Sequence, residues 1–86
     1  MSMERFEIGM LARSKAGHDK GHVYVIYGTD ETYVYLIDGK IRTMEKPKKK
    51  KKKHVQIILQ QHELSGMDDV GVKRILKMFD KETGRN

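Results

Sequence analysis

The sequence has no cysteine, no tryptophan, a single proline and few aromatic residues, 7% in all. Without cysteine there are no disulfide staples and no thiolate metal sites, and a reducing cytosol is a compatible setting. No run approaches the roughly 20 apolar residues that a membrane-crossing helix needs. The opening Met1-Ser2-Met3-Glu4-Arg5-Phe6-Glu7 lacks the basic flank and apolar core of a secretory signal, so a cytoplasmic location is expected. Patterns of catalysis are missing too: there is no G-x-S-x-G, no P-loop and no H-E-x-x-H. His18 and His22 have i, i+4 spacing, but Gly17 and Gly21 argue against a helix there. With no cysteine to complete a zinc set, neither a metal nor any other cofactor is expected, and the chain reads as a non-enzyme.

What remains is a short, basic chain. Its 86 residues make one domain, and 37% hydrophobic residues support a single compact core. The net charge of +6 is local. Residues 1–39 carry four basic and six acidic side chains, residues 40–54 nine and one, and residues 55–86 five of each. A polyanion partner is the simplest reading of such a block.

The first half alternates like a half-buried sheet. Strands are expected over 8–13, 22–27 and 32–37, the last two rich in β-branched and aromatic residues. Asp38-Gly39 is a strong hairpin signal and predicts a fourth strand over 40–44, ended by Pro47. A fifth is expected over 54–59. Short strands with tight turns predict a mostly β fold, an SH3-like small β-barrel of about five strands.

The period then changes. Val72, Ile75, Leu76 and Phe79 fall on one face of an amphipathic helix. Asp68 suits its N-cap, Asp69 its first turn and Gly84 the stop after its last. Gly71 weakens the first turn by about 1 kcal/mol relative to alanine. The expected organisation is a barrel over 1–62, including a lysine-rich loop at 46–53, and a helical extension over 63–86 that packs on or caps it.

Two features carry the functional reading. The loop 14–21 ends its strand with Gly17-His18-Asp19-Lys20-Gly21, and with Arg13, Lys15, His18 and Lys20 it offers cations and backbone N–H groups to phosphates and splayed bases. The basic block holds Lys40, Arg42 and Lys46, then an unbroken run of Lys48, Lys49, Lys50, Lys51, Lys52 and Lys53. Adjacent like charges repel, so the run is expected to be mobile and extended until a polyanion neutralises it. A solubilising loop or a nuclear-targeting patch would have the same composition.

The ordered combination from Gly9 to His54 resembles the KOW motif. The matching features are Gly17-x-Asp19-Lys20-Gly21, the strand 23–26, the Asp30 turn, the strand 33–37, Asp38-Gly39, Arg42, Pro47, the lysine run and His54. Where many KOW sequences have a further glycine, this chain has Tyr24. That departure favours the branch found in eukaryotic- and archaeal-type large-subunit ribosomal proteins and their small bacterial relatives. The resemblance implies an SH3-like barrel that binds RNA, often ribosomal RNA of the large subunit, with neighbouring ribosomal proteins as further partners. It places Lys20 and His22 in or beside an RNA-facing loop. It places Arg42, residues 48–53 and His54 on a second contact surface.

Tyr24, Tyr27, Tyr33 and Tyr35 lie on two adjacent expected strands and could form a stacking platform for bases. Cross-strand packing is the commoner use of such residues, which leaves one or two at most for RNA. The alternative function is a protein-interaction module of SH3-like fold. In it the helix face binds a partner and the lysine run serves solubility or targeting.

Overall fold

Alternating apolar residues build a sheet in the first two thirds of the chain, and the change of period builds one helix after it. The computed structural model describes residues 5–84. Its strands are β1 (Met10–Ser14), β2 (Val23–Thr29), β3 (Tyr33–Ile37), β4 (Lys48–Lys51) and β5 (Val55–Gln61), followed by helix α1 (Asp69–Glu82). A short 3-10 helix, Lys52–His54, joins β4 to β5. All pairings are antiparallel, in the order β4-β3-β2-β1-β5. The mostly β class with a C-terminal helix is thus the observed one. The sheet is not closed into a barrel: β4 and β5 are its two edges, an arrangement compatible with an SH3-like small β fold.

Side chains alternate across each strand, so one sheet feeds two apolar layers. Met10, Ala12, Tyr24, Ile26, Val34, Leu36 and Val55 form the first. Leu11, Val25 and Ile37 form the second, together with Val72 and Phe79 of α1. Full burial of aliphatic or aromatic side chains stabilises by about 1.5–3 kcal/mol each, which fixes α1 on the sheet. Ile75 and Leu76 are half-buried against the same layer, as their spacing predicts. The Asp68 side chain accepts a hydrogen bond from the Gly71 N–H at 3.0 Å, and Gly84, at φ 77°, follows the C-cap Thr83. Gly71 has a packing reason: an added Cβ would lie 2.6 Å from Met67 Cγ.

Three expectations are corrected. The first strand begins at Met10 and not at residue 8, because Gly9 takes φ 93° with its Cα turned onto the His62 carbonyl. Residues 40–44 are not a strand. Asp38 has no positive φ, so the type I′ hairpin does not form. Instead the buried Asp38 Oδ1 accepts from the Lys40 and Arg42 N–H groups, at 2.9 and 3.0 Å, and closes a local turn. Finally, the lysine run is not a loop at 46–53. Four of its residues are β4, paired with β3 from Tyr33↔Lys51 to Leu36↔Lys48, and the other two open the 3-10 helix.

The Asp38 turn sets the position of α1. Gly39 has φ 79°, and a Cβ there would run into the Asp69 carbonyl oxygen and lie 2.8 Å from Lys73 Cγ. Met44 N–H donates to Asp69 Oδ1 at 3.0 Å, a second tie between this segment and the start of the helix. Gly66 has a similar φ of 75° but nothing within 4 Å of its missing Cβ. Gly66→Ala is therefore expected to cost about 1–2 kcal/mol for its backbone conformation alone. Gly39→Ala should cost clearly more, about 3 kcal/mol or above, because contact with α1 adds to the same strain. Urea denaturation of both variants checks this, and equal losses would refute the close approach.

Candidate nucleic-acid interface

Asp19 organises the loop between β1 and β2. Its Oδ1 accepts from the Ser14 hydroxyl at 2.8 Å and from Lys50 Nζ at 3.1 Å, and its Oδ2 accepts from the Tyr24 hydroxyl at 2.8 Å. Lys48 Nζ stands 3.8 Å from the same Oδ2. Lys50 also donates to the Ala16 carbonyl at 3.0 Å, and its side chain is only 11% exposed. Partial burial pushes the Asp19 carboxyl upward. The hydrogen bonds from Tyr24, Ser14 and Lys50 and the Lys50 charge outweigh it and hold the group far below the usual carboxylate range. The Tyr24 phenol shifts the other way, raised by burial and by its bond to Asp19.

These contacts bring the two basic features of the sequence together. Lys15 N–H donates to the His54 carbonyl at 2.8 Å, so the loop is tied to the 3-10 helix at its start and to β4 by Lys50 further on. The loop closes on itself through Gly21 N–H to the Ser14 carbonyl, 2.8 Å, and the Arg13 guanidinium donates to the Gly21 carbonyl at 3.1 Å. Lys15, His18 and Lys20 remain exposed around this frame.

Strand alternation divides the lysine run. Lys48 and Lys50 lie opposite Leu36 and Val34 and turn toward Asp19. Lys49 and Lys51 lie opposite Tyr35 and Tyr33 on the other face and are exposed. Lys49 Nζ sits 4.3 Å from the centre of the Tyr33 ring, a cation–π contact. Lys52 Nζ stands 5.4 Å from the Phe6 ring, while Lys53 is exposed and His54 half-buried. Tyr35 is tied down as well: its hydroxyl donates to Asp30 Oδ2 at 2.7 Å. The backbone N–H of Tyr33, that hydroxyl and the Thr32 N–H together hold Asp30 below its ordinary value.

The remaining expected site residues lie elsewhere. Lys40 and Arg42 belong to the Asp38 turn, and His22, the last residue of the loop before β2, meets that turn with Nε2 3.2 Å from Asp38 Oδ2. Lys46 is exposed in a separate turn closed by its own N–H to the Thr43 carbonyl. Of the tyrosines, Tyr24 is buried and Tyr33 and Tyr35 are half-buried, leaving only Tyr27 exposed. The sequence reading missed Ser14 and Tyr24 as partners of Asp19; the short separations 14–19 and 19–24 across one loop were the available signal.

No family model matches the chain, and no curated protein matches it. Among the described residues no helix is long and apolar enough to cross a membrane.

Asp19→Asn removes the charge facing Lys50 but keeps the shape. Because the pair is largely shielded from solvent, the substitution is expected to cost about 2–3 kcal/mol. The folded carboxyl titrates lower than the unfolded one, so the unfolded chain takes up this proton first as pH falls. The Asp19 contribution is then full above about pH 5 and is lost progressively below the ordinary carboxylate value near 4. Thermal melts from pH 6 to 3 should show a shallower acid slope in Asp19→Asn than in the parent. Parallel slopes would rule out the network as described.

Proposed function

We propose that this protein is a non-catalytic RNA-binding module of the cytoplasm, associated with the ribosome or its RNA, that holds phosphates with β4 and the loop between β1 and β2. The observation that carries the reading is the division of the lysines. Lys50, with Lys48 near it, locks the strand to Asp19, while Lys49, Lys51 and Lys53 stay exposed, as do Lys15 and Lys20 of the loop. Cations without a carboxylate partner, carried on a backbone that is already ordered, lose less conformational freedom on meeting a polyanion than cations on a loose loop, and gain the release of counterions. The likeness to the KOW motif points the same way and supplies the ribosomal part of the reading. The packing of Val72 and Phe79 against the sheet weighs against the alternative in which that helix face takes a protein partner.

The two kinds of lysine separate in experiment. Lys49→Gln, Lys51→Gln and Lys53→Gln combined should leave the melting temperature within a few degrees of the parent. Their effect falls on binding to a labelled hairpin RNA across a potassium chloride series, where log affinity against log salt should lose about 2–3 units of slope. Lys50→Gln should do the reverse, lowering stability more than slope. A triple variant with the parent's slope would exclude β4 as a phosphate surface.

A further inference from the structure

The outer face of α1 has a composition that its packing role does not require. Lys73, Arg74 and Lys77 of α1 line a groove together with His22, Val23 and Lys40 from the sheet side. Lys73, Arg74, Lys77 and Lys40 are exposed, and none of them forms an ion pair among the described residues. Two carboxylates also border the groove. Asp38 is already engaged by two backbone N–H groups and His22, which leaves the exposed Asp80 as the one opposing charge. The stem of Lys73 lies against Gly39, and Lys77 follows it one helical turn on, about 6 Å along the surface.

The groove is joined to the loop described above. Gly21 and His22 belong to both. The His22 ring lies 4.5 Å from the Tyr24 ring, whose hydroxyl is bonded to Asp19. We propose that this groove is a second phosphodiester-binding track, so that an RNA strand crossing loop 17–21 continues between α1 and the Asp38 turn. The inference rests on the reading of the loop and β4 as an RNA surface and extends it to the outer face of α1, for which that reading names no contact. A repeating anion suits a row of separated cations better than the few carboxylates of a short peptide, because each cation then meets a charge of its own.

The test uses the full chain and a labelled oligouridine of about 12 nucleotides. Lys73→Gln, Arg74→Gln and Lys77→Gln combined change only exposed side chains, and circular dichroism and melting confirm the fold. The expected result is a loss of about 2 units in the slope of log affinity against log salt. In the unsubstituted protein, amide resonances of residues 73–77 should shift at the same RNA concentration as those of residues 17–21. A parental slope in the helix variant, or shifts confined to the loop and β4, would overturn the track while leaving the proposed function standing. Polyglutamate that moves the helix resonances more readily than oligouridine would overturn it in favour of an acidic protein partner. A parent protein with no salt-dependent affinity for RNA would remove the functional reading itself, and the track with it.

Discussion

The ionised carboxylate of Asp19 is the constraint on which the rest of this small fold depends. It gathers donors from three strands: Ser14 at the end of β1 and Tyr24 in β2, each five residues away, and Lys50 in β4, 31 residues on. A glycine-rich loop would otherwise have little to hold it, since its apolar content is low and its backbone entropy high. With Asp19 in place the loop takes one shape, and β4 gains a reason to stay on the sheet. Among the described residues no buried side-chain nitrogen or oxygen lacks a hydrogen-bond partner, so the network is complete.

The lysine strand shows how local repulsion can be overcome by geometry. Consecutive lysines on a flexible chain share one volume of solvent. On a strand they alternate, which sends neighbours to opposite faces and doubles the spacing along each face. One face then meets a carboxylate and a carbonyl oxygen, and the other meets the face of an aromatic ring. Ladder hydrogen bonds to β3 add the remaining stabilisation. Charge density read along the sequence gives no sign of this, because the partners stand 31 residues away for Asp19 and 16 for Tyr33.

Local patterns were legible where local physics decides. The alternation of β2 and β3, the Val72–Phe79 face, the Asp68 cap and the Gly84 stop all follow from spacing and capping rules, and the structure has them. Asp38-Gly39 shows the limit of such rules. A buried carboxylate that can bond two N–H groups of its own turn competes with a hairpin, and here it wins because the turn must also receive the start of α1. The candidate interface was legible as residue types and not as an arrangement. Arg13, Lys50 and His22 read as free cations or bases, yet each is engaged by the protein itself. Lys73, Arg74 and Lys77 drew no notice because the apolar face of the helix explained its presence.

The placement of β4 at the rim of an open sheet has a consequence for how copies of the chain meet one another. An edge strand exposes unpaired N–H and C=O groups and invites another strand to add to it. Here the inviting edge carries a lysine at every position, so a second copy laid against it would set ammonium against ammonium along its length. The strand thus guards against self-association as long as its charges are bare. A polyanion that neutralises those charges lifts the guard and, by lying over the strand, takes its place.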